Sequence, residues 1–212
     1  MIWPPSKIWQ DAKDVFVVGG GSSVRAFPIS FLENHKVIGC NDAYQFGTSI
    51  IDILVFGDSK WYFYHKDRLD FQGFSNPKIT NNEKLKNEQG IIFAPRSQSG
   101  FCVDSLGWNG NTGSSAINLA LILGAKRIFL LGFDMSLDEA GRSNWHLNYL
   151  DKPGTQHYKR YIDSMKESIN QIEINFPGSE IYNLNPLSSM ELFPKRRLEE
   201  FYKIDKGNNH NG

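Results

Sequence analysis

Val15-Phe16-Val17-Val18-Gly19-Gly20-Gly21-Ser22-Ser23 is the stretch on which the reading of the fold turns. Four apolar residues run without interruption into three glycines and two hydroxyls, which predicts a strand, a turn without side chains and a short helix. An unbroken apolar run, as opposed to an alternating one, suits a strand covered on both faces, the condition of a parallel sheet. Four further runs have the same form. The run 36–40 stops at Asn41-Asp42, 51–56 at Gly57-Asp58, 127–131 at Gly132-Phe133-Asp134, and 180–184 at Asn185-Pro186.

Helical patterns lie between these runs. Residues 112–125 are apolar nearly all round after a Thr/Gly/Ser start and predict a buried crossover helix. Tyr158, Ile162, Met165, Ile169, Ile172 and Phe176 recur at spacings of four and three, the stripe of an amphipathic helix ended by Pro177-Gly178. A shorter helix is predicted over 59–69. Strands alternating with helices give the fold class: α/β, a single doubly wound, mostly parallel Rossmann-like sheet with helices on both faces. No internal repeat or linker is visible. Residues 1–205 are therefore expected to form one nucleotide-binding domain, and 206–212 a flexible polar tail. The polar stretch 81–89 reads as a surface loop, and 95–111 and 137–154 as irregular substrate loops.

Lysine plus arginine equals aspartate plus glutamate, at 23 each, so the chain carries no basic excess for gripping a nucleic-acid backbone. Cys40 and Cys102 have neither metal-ligand nor disulfide spacing and are expected to be reduced thiols. The chain shows no signal-peptide pattern and no apolar run long enough to span a bilayer, and the expected location is cytoplasmic.

The glycine turn admits two readings. One is a tight turn needing positive φ. The other is close approach of backbone N–H groups to an anion at a helix N-terminus, with Gly19, Gly20, Gly21, Ser22 and Ser23 holding phosphates. The third glycine of the dinucleotide fingerprint would fall at Val24, which leaves Asp42 as the one ribose-binding acid for an NAD alternative. Asn41, Asp58 and Asp134 end strands where open α/β sheets bind ligands. Each can meet a ribose, base or hydroxyl, or else act as a turn or cap residue. His146 and His157 are the candidate general bases, as near-neutral imidazoles; an unperturbed one loses competence below about pH 6.5. In the run 61–64 some aromatics are core and at least one faces outward. Lys195-Arg196-Arg197 is a solvated basic cluster or a phosphate attractor.

Gly19-Gly20-Gly21-Ser22-Ser23-Val24 resembles the G-x-G-P-S-L turn of bacterial family-42 sialyltransferases and of the related domain-of-unknown-function 115 proteins. Ile38-Gly39-Cys40-Asn41-Asp42-Ala43-Tyr44 resembles their second-strand element, whose asparagine contacts the nucleotide. Thr112-Gly113-Ser114-Ser115, continuing through Leu123-Gly124-Ala125-Lys126-Arg127-Ile128 to Gly132-Phe133-Asp134, is similar to their helix-and-strand element. Asn185-Pro186-Leu187-Ser188-Ser189 is similar to their C-terminal element. The sialyltransferases place an asparagine where this chain has Gly20 and a proline where it has Ser22.

The resemblance implies a nucleotide site at Gly19–Ser23, Asn41, Asp58, Thr112, Gly113, Ser114 and Asp134. The family's catalytic histidine matches His157. Small phage-encoded members share a tryptophan–histidine pair, here Trp145-His146. The nearest counterparts of the family's tyrosine pair are Tyr149 and Tyr158. The expected activity is that of a glycosyltransferase-like enzyme with a nucleotide-sugar donor and no required metal. Its partners would be that nucleotide or nucleotide-sugar and an acceptor of unassigned class, with no membrane span, no strong nucleic-acid signal and oligomerisation allowed. Two alternatives stand beside it. One is an ATP-dependent pyrophosphokinase-like transferase, with divalent metal between Asp58 and Asp134. The other is a catalytically silent phage nucleotide-binding protein, in the host cytoplasm.

Overall fold

The computed structural model describes residues 3, 5, 7–146 and 155–200. In chain order the strands are β1 (Val15–Val18), β2 (Lys36–Cys40), β3 (Ile53–Phe56), β4 (Lys78–Thr80), β5 (Ile92–Phe93), β6 (Arg96–Ser97), β7 (Leu106–Gly107), β8 (Arg127–Leu131) and β9 (Glu180–Asn183). Strands β6 and β7 pair with each other. The rest form one sheet in the order β5-β4-β3-β2-β1-β8-β9, and every ladder in it is parallel. The fold is the doubly wound α/β architecture that the apolar runs predict.

Alternate residues of each strand enter two separate cores, which is why the runs are continuously apolar. Val15, Val17, Ile38 and Leu130 face one layer, built from α3 (Thr112–Ile122), α4 (Gln156–Lys166) and α5 (Asn170–Asn175). Phe16, Val18, Leu54 and Leu131 face the other. That layer holds short 3₁₀ turns together with α1 (Ser59–His65) and α2 (Leu69–Gln72). Helix α3 lies across β1, β2 and β3 and is buried at every position but Gly113.

The sheet winds outward from β1 through β2, β3, β4 and β5, and then returns to add β8 on the other side of β1. The direction of winding reverses between β1 and β8, and the crevice at their carboxyl ends is where such sheets bind ligands.

Several boundaries differ from the sequence expectation. The predicted 51–56 strand starts at Ile53, because the Asp52 carboxylate accepts from Val37 N at 2.8 Å and turns the chain in. The 59–69 helix stops at His65 and resumes as α2. The stripe from Ile162 to Phe176 faces one core, with Tyr158 outside it, but its helix breaks at 167–169, where i→i−3 hydrogen bonds such as Ser168 N to Met165 O tighten the turn around buried Ser168. Strands β4 and β5 went unpredicted: they are short, and β4 offers a single apolar residue, Ile79. The 81–89 stretch is not wholly a surface loop, since Asn81 and Leu85 are buried. The 206–212 tail lies outside the described residues.

Candidate functional site

A cleft of about 420 Å³ opens at the carboxyl ends of the strands. Its lining includes Gly19, Gly20, Gly21, Asn41, Asp58, Thr112, Gly113, Asp134 and His146, nine of the residues singled out from sequence. Ser22, Ser23, Ser114 and His157 are not part of the lining. No lysine or arginine among the described residues lines it, so an anion there would be met by N–H dipoles and hydroxyls.

The glycine turn closes against β8. Gly19 N donates to Leu131 O at 2.7 Å and Gly21 N to Gly132 O at 2.9 Å. None of the three glycines has positive φ, so the turn does not require glycine for its dihedrals. It requires closeness. A β-carbon on Gly19 would stand 2.8 Å from Gly132 O, and one on Gly21 would stand 2.5 Å from Asp134 Oδ2. On Gly20 it would project toward the cleft, 3.1 Å from the Asn144 amide and 3.9 Å from His146 Nε2. Among the described residues the Gly20 amide has no backbone acceptor.

Ser22 and Ser23 turn away from the cleft to Asp134. The Asp134 carboxylate, 4% exposed, accepts from Ser23 N (2.8 Å), Ser22 Oγ (3.4 Å), Asn185 Nδ2 (2.8 Å) and Ser23 Oγ. Asp134 thus ties the turn to the segments after β8 and β9. Asp58 caps α1, accepting from Lys60 N at 2.8 Å and Trp61 N at 3.5 Å. Ser114 is buried and accepts from Asn109 Nδ2 at 2.6 Å, while Thr112 and Gly113 present the first turn of α3 to the cleft. Among the described residues no cluster of three or more His, Cys, Asp or Glu could hold a metal ion.

Asn41 follows β2 with φ 51°, a left-handed conformation that asparagine tolerates better than most residues. Among the described residues its Oδ1 is buried without a hydrogen-bond partner, and the buried Tyr158 hydroxyl, also in the lining, has only the nearby Ser143 side chain beside it. A buried polar atom left unpaired costs about 1–3 kcal/mol, so Asn41 Oδ1 is a place where an added donor would lower the energy. Burial raises the Tyr158 phenol, keeping it protonated as a donor. Met135, also lining the cleft, has φ 51°, a strained conformation of the kind that gathers at functional sites.

The 95–111 segment is an ordered wall. Asn118 bridges Cys102 N (3.0 Å), Gly107 N (2.8 Å) and Cys102 O (2.8 Å), and Asn109 grips both the N–H and the C=O of Gly100. Only its end reaches the cleft, where Trp108 stacks under the Arg96 guanidinium at 4.3 Å. Arg96 itself donates to Gly57 O and Asn81 O.

No protein-family model matches the chain, and no curated protein does. Among solved structures, the MAf glycosyltransferase from Magnetospirillum magneticum AMB-1 matches with a TM-score of 0.63 and 16% identity, over 95% of this chain and 35% of that one. A variant of the sialyltransferase CST-II in complex with CMP matches with a TM-score of 0.49 and 15% identity, over 86% and 85% of the two chains. This chain shares its fold with a glycosyltransferase. It spans about a third of the length of the MAf glycosyltransferase, and at this identity the likeness is one of fold.

The two candidate histidines occupy different places on this fold. His157 sits on the first turn of α4, half-buried, with Nδ1 3.4 Å from Arg160 Nη2 and its ring beside Tyr161. His146 is brought to the cleft by Trp145. That residue stacks on Phe46 with centroids 4.4 Å apart and donates from its backbone N to Gly20 O (3.0 Å) and from Nε1 to Gly19 O (3.1 Å). The tryptophan–histidine pair is therefore a tie between the 137–146 loop and the glycine turn. Burial, with Arg25 nearby, pushes the His146 imidazole down to about 4, so it is neutral at physiological pH.

Tyr158 and Tyr161 both line the cleft, whereas Tyr149 lies outside the described residues. Sequence reasoning passed over Tyr161, Trp108 and Asn144, whose residue types carry no local signature. Asp42 does not face the cleft as a ribose-binding acid. It is 2% exposed and accepts from Trp61 Nε1 at 2.8 Å and Gln45 Nε2 at 2.9 Å.

Proposed function

We propose that the chain is a glycosyltransferase-like enzyme that takes a nucleotide-activated sugar and works without a required metal. The observation that carries this reading is the buried Asn41 Oδ1, without a partner among the described residues, in a cleft that Tyr158 and His146 also line. The fold shared with the MAf glycosyltransferase makes glycosyl transfer the reaction to test, and the resemblance of the 38–44 element to a nucleotide-contacting one agrees with it.

In this reading Asn41 holds the nucleotide, and Gly20 lets a phosphate approach the turn beside the first turn of α3. His146 takes the proton of an acceptor hydroxyl, as a neutral imidazole can. Tyr158 donates to the departing phosphate as its charge develops. Asp58 and Asp134, the carboxylates a metal-dependent pyrophosphokinase would need, are engaged as a helix cap and a loop clamp, which favours the metal-free reading.

The test is a melting screen of nucleotides and nucleotide-sugars, run with and without chelator. A ligand at a hundred times its Kd stabilises by about 2.7 kcal/mol, a rise of several degrees for a chain of this size. Asn41→Gly removes the amide while keeping the left-handed backbone unstrained. It should weaken the nucleotide found by about 1–3 kcal/mol in calorimetric titration. Unchanged affinity would make Asn41 a turn residue only, and binding lost on chelation would favour the metal-dependent alternative.

A further inference from the structure

Behind His146 lies a buried ionisable group that nucleotide binding does not use. The Asp42 carboxylate is held on the protein side by Trp61 and Gln45, and two imidazoles flank its Oδ1. His146 Nδ1 and His65 Nε2 each stand 3.7 Å away. His65 is fully buried and stacks on Trp61 with centroids 4.4 Å apart; its Nδ1 meets Tyr44 OH at 2.8 Å. That hydroxyl reaches Asp70 Oδ2 at 3.5 Å, and Arg68 grips Asp70 through two N–H groups at 3.2 Å. The other edge of His146, Nε2, is turned toward Gly20 and the cleft.

We infer that Asp42 is a positioning residue for His146, selecting the tautomer with the proton on Nδ1 and the Nε2 lone pair toward the cleft. The inference rests on the reading of His146 as the base. Burial raises the Asp42 carboxyl, while the Trp61 N–H, His65 and Arg68 favour its charged form. As a carboxylate it only accepts, so the nitrogen beside it is favoured as N–H, and a neutral imidazole then keeps its acceptor on the opposite nitrogen. A separation of 3.7 Å is too long for a hydrogen bond, so the carboxylate biases the ring through its charge across a buried gap. Asp42 cannot drift, because its two donors come from α1 and from the 3₁₀ turn that follows β2.

The transfer step balances. The acceptor O–H bond breaks as Nε2 takes its proton, and the acceptor oxygen forms the new bond to the anomeric carbon. The sugar–phosphate bond breaks with its electron pair leaving on the phosphate oxygen. The imidazolium that results carries protons on both nitrogens and is balanced by the adjacent carboxylate. His65 fills the far side of that carboxylate, so that water does not.

The test is long-range ¹⁵N NMR of the histidine rings in the full chain at neutral pH, with His146 assigned by its loss in His146→Gln. The expected result is an Nδ1–H tautomer in the parent and a population moved toward Nε2–H in Asp42→Asn, where the residue can also donate. An Nε2–H tautomer in the parent, or an unchanged Nδ1–H tautomer in Asp42→Asn, overturns the inference. The parent spectrum decides it even where Asp42→Asn fails to fold. No substrate is needed, so failure of the transferase reading shows separately, as full turnover by His146→Gln, and removes the base role itself.

Discussion

Gly19, Gly20 and Gly21 stand side by side and lack side chains for different reasons. At Gly21 a β-carbon would collide with the clamping carboxylate of Asp134; at Gly20 it would enter the cleft near the ends of two side chains. Gly21→Val is therefore expected to lower stability by about 1–3 kcal/mol, as overpacking does, visible as a lower melting temperature. Gly20→Val should melt close to the parent and lose nucleotide binding in calorimetric titration. If Gly20→Val binds as the parent does, the turn is no phosphate cradle. His146 carries the second residue-level prediction. Its folded value is near 4 against an ordinary 6.5, so it stays neutral well below the usual histidine range. Turnover should hold from pH 8 down to about 5 and fall only toward 4; an acid limb near 6.5 would show that another imidazole is the base. The same shift affects stability. The native state binds this proton less readily than the unfolded chain, so His146 favours the native state fully above pH 6.5, and that contribution is lost as pH falls toward 4. Burial first and Arg25 second set this value, Asp42 stands 3.7 Å from the ring, and the linkage is read from melts across that range.

Two loops become walls through side chains that stand in for a sheet partner. Asn118 and Asn109 satisfy the backbone of 100–107 from inside, and Trp145 fastens the 137–146 loop to the glycine turn. Asn118→Ala leaves the amides of Cys102 and Gly107 without their acceptor and should cost about 1–3 kcal/mol. Hydrogen exchange at those two amides should accelerate while β1 and β8 stay protected; uniform protection would mean the wall stands without Asn118. The strands β1, β2 and β8 were legible to the residue, because a continuous apolar run bounded by glycine or asparagine has few other meanings. So was α3. That the glycine turn lines the cleft was legible, but not the division of labour within it, since only the contacts to Asp134 reveal that Ser22 and Ser23 serve a clamp. Asp42 and His65 were unreadable as a pair, because the contact joins two elements 23 positions apart in a network of single, unpatterned polar residues. Tyr161 was hidden for a similar reason: it sits one turn beyond His157 on a helix whose apolar stripe drew the attention.

On the scale of the molecule, the cleft belongs to neither half of the chain. The glycine turn, Asn41 and Asp58 come from the strands on one side of the switch point, whereas α3, Asp134, His146 and Tyr158 come from segments that follow β7. The pairing that joins the halves is the β1–β8 ladder, in which Val15 meets Ile128 across most of the chain. Such a distant closure is entropically costly and slow, and the local β1–β2–β3 ladder can form before it. Ligand affinity should therefore be a late acquisition in time as well as in sequence. In stopped-flow refolding with the ligand identified by the melting screen, recovery of binding should follow the slowest phase, after most tryptophan fluorescence has returned. Binding that recovered with the first phase would mean that one half suffices. A ribosome-bound chain that ends before Ile128 has, on this account, the glycine turn in hand and nothing to close it against.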